Sequence, residues 1–249
     1  MNIGLYQSAA SLSALERWQE AVAQNMTSSQ VPGYRKRTVE FSGLEMGQLQ
    51  TDPKSRISDG NAAAALFPSS RLGVSFQPGE TTPTRRDLDL AIEGDGFFEV
   101  QMPDGSRGYT RAGHFQLNAQ RTVVTNDNMP VLTEGGTPIV LQPENGALAI
   151  SMDGAITQGD TQLGRVSVVR FADNQKLVPL GNGVFVAGDE LSAERVERPV
   201  VLQGYTEASN VSPLHEMISL VQIARAYEAN QKVITSRDQN FQKALDALG

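Results

Sequence analysis

Hydrophobic residues near the N-terminus recur every three or four positions, which is the period of an amphipathic helix. They are Leu5, Ala9, Leu12, Leu15, Trp18, Val22 and Met26. Pro32 and Gly33 end the pattern, because proline disfavours helical dihedrals in the residue before it. We therefore predict a long N-terminal helix that ends near Ser29 or Gln30.

A second stripe follows a helix start signal near the C-terminus. Ser212 suits an N-cap, Pro213 suits the first helical position, and Glu216 suits the positive end of the helix dipole. The apolar positions beyond it are Met217, Leu220, Ile223, Tyr227, Ile234, Phe241, Leu245 and Leu248. This spacing predicts a helix of roughly 35 residues, about 50 Å long at 1.5 Å per residue.

Between the two stripes the hydrophobic period changes from 3.6 to two, which indicates short strands. Such segments are Ala91–Glu93, Phe97–Val100, Arg121–Val124 and Val166–Val169. Gly94-Asp95-Gly96 and Asp104-Gly105 are hairpin-type turn signals, because glycine tolerates a positive φ. An all-β domain is predicted from about residue 85 to residue 205.

Residues 43–84 carry scattered serine, threonine, proline and aspartate without a clear period. We predict an extended connector here, within which Asn61–Ala65 is compatible with a short helix.

These elements predict an α+β protein with segregated parts. Residues 1–42 form the first helix and its exit, 43–84 the connector, 85–205 the antiparallel β domain and 206–249 the returning helix. The two terminal helices are expected to pair as a coiled coil. Apolar surface left over on such a pair favours neighbours in other subunits, and contacts between different patches build an open helical tube. The alternative is a monomer in which both helices cap the β domain.

The composition of the chain makes several classes of function less favourable. The chain has 249 residues, a net charge of −7 and no cysteine. This charge disfavours nucleic-acid binding, and without cysteine neither disulfides nor thiolate metal sites form. No segment is apolar over the ~20 residues that a membrane helix needs. The first 20 residues lack the pattern of a cleaved secretory signal, so we expect no membrane insertion and export without such a signal.

An acidic group is the strongest candidate for chemistry. Asp87, Asp89, Glu93 and Asp95 could imitate the carboxylate pair of a glycosidase, but alternation along a strand and a glycine turn are the simpler explanation, because no nucleophile or base-orienting residues accompany them. His114 and His215 are isolated from further ligand residues, so a metal site is not predicted. We predict no catalytic residue, no cofactor and no metal, and hence no enzyme.

Motifs at both ends and in the middle resemble the flagellar rod and hook family of axial proteins. At the N-terminus these are Gln24-Asn25-Met26 and Val31-Pro32-Gly33-Tyr34-Arg35, although Met26 and Thr27 depart from the usual asparagine and leucine. At the C-terminus they are residues 204–211, Glu216-Met217-Ile218 and residues 224–230. The β-domain motifs are residues 88–98 and 109–115.

The resemblance implies a structural subunit of the bacterial flagellar basal-body rod, assembled helically to transmit torque. Leu163–Val166 and Val233–Ser236 are similar to the proximal-rod type. The distal-rod type is the alternative, but it normally has an asparagine-proline-glycine-leucine element where Asp173–Leu177 stands here. Implied partners are copies of this chain, other rod proteins and the flagellar type III export apparatus, and the implied location is the basal body across the periplasm. A glycan-cleaving periplasmic enzyme and a monomeric β adaptor are the other hypotheses.

The predicted assembly interface combines the two helical stripes with polar residues on or beside them. A buried amide in a helix seam selects one register, and Asn210 also suits a turn before the second helix. Tyr227 and Arg225 suit contacts with neighbouring subunits through apolar area and a planar guanidinium. The full set is Leu5, Leu12, Leu15, Trp18, Val22, Asn25, Asn210, Met217, Leu220, Ile223, Arg225, Tyr227, Asn230, Ile234, Phe241 and Leu245.

Overall fold

The computed structural model describes residues 3–50, 62–143, 146–188 and 190–246. The chain forms two compact units. Unit 1 contains residues 1–26, 37–74 and 212–249, and unit 2 contains residues 27–36 and 75–211. None of the helices in these described ranges is long and apolar enough to cross a bilayer.

Unit 1 is built from two helices and a β-hairpin. Helix α1 spans Ile3–Thr27 and helix α2 spans Pro213–Asp246, so both helices predicted from the hydrophobic stripes are present. The strands are β1 (Arg37–Gln50) and β2 (Ala62–Val74). At 34 residues, α2 is about 50 Å long at 1.5 Å per residue.

The two strands of unit 1 form a long antiparallel hairpin, which we call the ribbon. Arg37 lies opposite Val74 and Gln50 lies opposite Ala62, with an irregularity between Glu45 and Gln48. The ribbon corrects the expected extended connector. It also corrects the expected short helix, because Ala62–Ala65 lie in β2 and Asn61 lies outside the described residues. Cross-strand pairing satisfies the backbone of this alanine run and overrides its local preference.

The helices of unit 1 are antiparallel and meet at two widely separated points. Asn25 in α1 contacts Glu216 in α2, and the guanidinium of Arg237 fills the space beside Gly4, where a Cβ would lie 1.1 Å from Nη1. Both helices advance 21 residues between these contacts, a distance of about 30 Å. These contacts join the two helices at two points, whereas their pairing as a coiled coil stays a prediction.

Unit 2 is a β domain of short strands. Its first eight strands in the described chain are β3 (Thr81–Pro83), β4 (Leu90–Glu93), β5 (Phe97–Gln101), β6 (Arg107–Thr110), β7 (Gln116–Leu117), β8 (Val123–Val124), β9 (Leu148–Ile150) and β10 (Ala155–Gln158). They are followed by β11 (Thr161–Arg165), β12 (Val168–Arg170), β13 (Val178–Gly181), β14 (Val184–Val186), β15 (Glu194–Arg195), β16 (Val200–Gln203) and β17 (Tyr205–Glu207). The unit is larger than the predicted domain, since it also takes in residues 27–36 and 75–84.

The strands of unit 2 pair in antiparallel fashion, as predicted. The largest sheet has six strands in the order β13-β14-β6-β5-β12-β15. A three-stranded sheet, β11-β10-β9, and the pairs β16-β4, β17-β3 and β7-β8 complete the described sheets. Their inward side chains form one core, in which Phe98, Val100, Val131, Ile156 and Val166 are the most deeply buried members described. The predicted turn glycines Gly94, Gly96 and Gly105 all have positive φ.

Candidate functional site

Three separate sequence motifs converge on one buried ionic cluster in unit 2. Arg35 comes from the segment after α1, Arg111 from the segment after β6 and Glu207 from the end of β17. Arg35 Nη1 lies 2.6 Å from Glu207 Oε1, and Arg111 Nε lies 2.8 Å from Glu207 Oε2. All three residues are at most 4% exposed, so the contacts are made away from water.

The cluster carries more positive than negative charge. Arg111 offsets the excess positive charge by donating to the carbonyl oxygens of Ile92, Gly94 and Gly96. Glu207 also accepts a hydrogen bond from the amide of Gly79 at 2.9 Å. Burial lowers the pKa of Arg35 from its ordinary value, with Glu207 opposing this change and Arg111 adding to it. The carboxylate of Glu207 therefore holds two otherwise repelling guanidinium groups together.

Gly33 brings the N-terminal motif onto this cluster. Its φ is +67°, and a Cβ at this position would fall 2.3 Å from backbone atoms of Arg111 and Ala112. Its amide donates to the carbonyl of Glu207 at 2.7 Å. Only glycine fits this close approach, which places Tyr34 and Arg35 in the interior of unit 2.

Asn210 ties two distant segments of unit 2 together. Its Oδ1 accepts from the amide of Lys36 at 2.7 Å, and its Nδ2 donates to the carbonyls of Ser75 and Gln77 at 2.9 and 2.8 Å. Lys36 directly precedes β1 and Ser75 directly follows β2. The amide therefore holds the two chain segments that lead into and out of the ribbon, rather than a seam between the helices.

Asn25 has the matching position in unit 1. It is 1% exposed, and its Oδ1 accepts from the amide of Arg37 at 2.8 Å. Its Nδ2 donates to the carbonyl of Arg37 at 2.9 Å and to Glu216 Oε2 at 3.1 Å. This one amide joins the end of α1, the first residue of the ribbon and the first turn of α2.

The predicted assembly residues divide into groups by exposure. Leu15, Val22, Asn25 and Ile223 are buried, and a second group of partly buried residues contains Leu12, Trp18, Asn210, Leu220, Asn230 and Ile234. Met217, Arg225 and Tyr227 are exposed. Leu5, Phe241 and Leu245 lie in the two helices, but their side chains are outside the described set. The helix pair thus brings a part of the predicted set together within the described chain.

Met217 does not lie on the stripe to which the sequence analysis assigned it. At about 100° per residue it is turned roughly 120° away from the buried Ile223. Its side chain is 51% exposed, whereas Glu216 is 1% exposed. A spacing of three or four residues drifts around a long helix, and the contact with α1 decided which neighbour became buried.

Four charged residues of these clusters were missed as site residues by the sequence analysis, namely Arg35, Arg111, Glu207 and Glu216. Each lies inside a motif that had been noted for its resemblance. Charged residues are rarely buried unless they are paired. Their signal in the sequence was therefore a charge embedded in an otherwise apolar or glycine-rich motif.

The acidic group considered for chemistry does not form one site. Asp89 is fully buried and its Oδ1 lies 3.0 Å from Nδ1 of His114. Glu93 and Asp95 instead line a cavity of about 260 Å³ that also borders Arg35 and Arg111. Among the residues described, no cluster of three or more ligand-type side chains could hold a metal ion.

Comparison with known proteins places these features in a family. Residues 91–158 match the flagellar hook protein FlgE/F/G D1 domain, and residues 202–247 match the flagellar basal body rod FlgEFG protein C-terminal family. The chain is 31% identical to the flagellar basal-body rod protein FlgF of Caulobacter vibrioides, with 100% of this chain and 99% of the relative covered.

Further relatives share this coverage. FlgF of Salmonella typhimurium is 31% identical, with 100% of this chain and 99% of the relative covered. The flagellar basal-body rod protein FlgG of Buchnera aphidicola from Acyrthosiphon pisum is 30% identical, with 96% and 97% covered. The similarity extends over both units and over the motifs that build the two polar clusters. The chain therefore belongs to the flagellar basal-body rod protein family.

Proposed function

We propose that this chain assembles helically in the proximal part of the flagellar rod through its terminal helices, and that it transmits torque as a non-enzymatic subunit. As a member of its family it is a structural protein of the basal body that assembles with other rod components. The proximal position is supported by relatives named FlgF over the full length of the chain, with the FlgG type as the alternative.

The observation that carries this proposal is the union of both chain ends in one unit. Helices α1 and α2 run antiparallel and meet near Asn25 and again near Gly4. Two helices and a two-stranded ribbon bury little apolar surface by themselves, so unit 1 gains stability when neighbours cover what remains exposed. We infer that ordering of unit 1 and assembly are coupled.

Two side-chain amides restrain the backbone beside the ends of the ribbon. The amides of Asn25 and Asn210 each bind backbone groups at the root of the ribbon, in unit 1 and unit 2 respectively. Several hydrogen bonds to one planar amide restrain direction as well as distance. We infer that each amide restrains the local backbone of its own unit beside the ribbon.

Membership of the family also supports a set of partners and a location for this chain. The proposed partners are copies of this chain, neighbouring rod proteins and the flagellar type III export apparatus. The proposed location is the part of the basal body that crosses the periplasm.

The test is removal of α2 from the chain in cells that lack the native copy. Deletion of residues 212–249 should abolish rods and swimming, because α1 loses the helix with which it pairs. Unit 2 should stay folded in this truncated chain, since none of the core residues described belongs to α2. Electron micrographs of basal bodies and thermal unfolding of the purified chain measure the two effects.

Met152→Ser is a matched control, because Met152 is an exposed apolar residue of unit 2, 65% exposed. Cells with this variant should build normal rods. Normal rods from the chain without residues 212–249 would contradict the proposed function.

A further inference from the structure

Helix α2 has a second apolar side that faces away from its contact with α1. Leu214, Met217, Ile218 and Val221 are between 50% and 67% exposed and are spaced as i, i+3, i+4 and i+7. This spacing places them on one side of the helix, which we call the α2 outer face. The buried residues Glu216 and Ile223 lie on the other side.

The α2 outer face is one contiguous apolar patch, larger than the area that single exposed apolar residues present. Four large side chains at about half exposure offer roughly 400 Å², a size that is often functional on a single chain. A stable pair of proteins usually buries about 800 Å² on each partner. This face alone is therefore too small to hold a lasting dimer in dilute solution, but it suits a contact that an assembly repeats and reinforces.

The ribbon exposes a second apolar surface within unit 1. Phe41 is 50% exposed and Leu72 is 53% exposed. Leu72 lies opposite Val39, and Phe41 is two residues further along β1, so both side chains are on one face of the ribbon. Trp18 packs edge-on against Phe41 with ring centroids 5.5 Å apart, which fixes the phenyl ring. We call Phe41 and Leu72 the ribbon face.

The two surfaces match in extent. The α2 outer face covers eight residues, Leu214 to Val221, and extends about 10 Å along the helix. The diagonal pair on the ribbon face is separated by about 7–8 Å at the backbone and is widened by its aromatic ring. An aromatic ring held in one orientation supplies a large apolar contact area for a partner helix.

We propose that the α2 outer face of one copy of this chain docks onto the ribbon face of a second copy. This inference rests on the proposed rod function, because an open helical assembly joins two different surfaces of each subunit. Pairing of the outer face with itself would close a dimer and stop growth. The contact runs in the same direction at every step, so each added copy presents a free ribbon face or a free outer face for the next.

Another exposed row fits the outer face less well. Val178 and Leu180 on β13 are 52% and 55% exposed, but they lie on a single edge strand with Pro179 between them. The row is one strand wide, so it covers less of a helix than a two-stranded ribbon does. It supplies a competing outcome for the test.

The absence of cysteine from the chain allows a direct test by crosslinking. Ile218→Cys and Leu72→Cys are produced as separate chains in one cell, and basal bodies are isolated and treated with a mild oxidant. Both positions are exposed, so cysteine leaves the fold intact. A disulfide forms only where two Cα atoms come within about 7 Å, and we expect at least about tenfold more mixed dimer than in the control pair.

The matched control pairs Ile218→Cys with Leu180→Cys, and a second control contains Ile218→Cys alone. A chain carrying both Ile218→Cys and Leu72→Cys should give a ladder of crosslinked multimers. A dominant dimer in either control, or no mixed dimer in rods that turn normally, would overturn the docking proposal. The crosslinking results test only the docking proposal: if the cells swim, the proposed rod function is still supported, whatever the crosslinking pattern. Normal rods from the chain without residues 212–249 would instead contradict the rod function itself.

Discussion

The side-chain amide of Asn25 binds both backbone groups of Arg37, accepting from its amide at 2.8 Å and donating to its carbonyl at 2.9 Å. This arrangement imitates the pairing of one strand with another at the first residue of the ribbon. The same amide nitrogen reaches Glu216 at 3.1 Å, so a single side chain joins three elements of unit 1. Each element depends on the other two at this point.

Replacement of Asn25 should therefore loosen unit 1 without affecting unit 2. Asn25→Ala removes the side-chain amide that binds the backbone amide and carbonyl of Arg37, and a lost buried partner costs about 1–3 kcal/mol. We expect faster hydrogen exchange of the Arg37 amide and weaker swimming. Gln19→Ala, an exposed change in the same helix, is the control. Unchanged exchange at Arg37 in the Asn25 variant would show that the clamp has no role.

Replacement of Glu207 should destabilise unit 2. Glu207→Gln leaves Arg35 and Arg111 buried without a countercharge, and breaking a buried pair in this way costs about 3–5 kcal/mol. Urea unfolding followed by circular dichroism measures the loss. Glu194→Gln breaks the exposed pair with Arg170 and should cost at most about 1 kcal/mol. Equal losses in the two variants would contradict the importance of burial.

A substitution at Gly33 tests whether the close contact between its backbone and that of Arg111 and Ala112 stabilises unit 2. Gly33→Ala combines an unfavourable positive φ with contacts of 2.3 Å to the backbone of Arg111 and Ala112. Gly105→Ala has a similar φ of +84°, but no atom of the described residues lies within 4 Å of the new Cβ. The control should lose about 1–2 kcal/mol from the left-handed backbone alone. A clearly larger loss in thermal unfolding of Gly33→Ala is expected, and equal melting temperatures would count against it.

Trp18 reports on the order of unit 1, because it is the only tryptophan of the chain and packs against Phe41. If assembly and ordering are coupled, its emission should shift to shorter wavelength as subunits join. Phe41→Leu removes the ring contact and should reduce the shift. An emission spectrum that is the same in the free and the assembled chain would argue that unit 1 is already ordered alone.

The turn between β9 and β10 should respond to acid. Ser151 Oγ donates to Asp153 Oδ1, and this bond, more than the nearby Arg165, lowers the pKa of Asp153. A carboxyl with a lowered pKa stabilises the fold above its ordinary unfolded value, and the contribution is lost as pH falls through the lowered value. Asp153→Asn should make the free energy of unfolding of the chain less dependent on pH between pH 5 and 2, as measured by urea unfolding. A pH profile identical to that of the parent chain would exclude this contribution.

Much of the local structure was predictable from the sequence because it depends on near neighbours in the chain. The start of α2 at Pro213, the end of α1 within three residues of the prediction and the glycine turn at Gly94–Gly96 follow from capping, proline geometry and positive φ. The antiparallel β domain followed from its two-residue period. These preferences act over a few residues, so a linear pattern records them.

The ribbon and the polar clusters were not predictable in this way, because each depends on residues far apart in the chain. Glu216 lies 191 residues from Asn25, and Glu207 lies 96 residues from Arg111. A charged residue in a sequence looks like a solvated one until the fold supplies its partner and removes its water.

The sequence by itself determined that this protein has a helix at each end of the chain and a β domain between them in the sequence, and its motifs indicated the rod family. The tertiary structure alone decided which side of α2 is buried, where the 43–84 segment pairs and which charges face each other. The physical reason is that hydrophobic period and backbone preference are local, whereas burial and charge pairing exist only once distant segments are in contact.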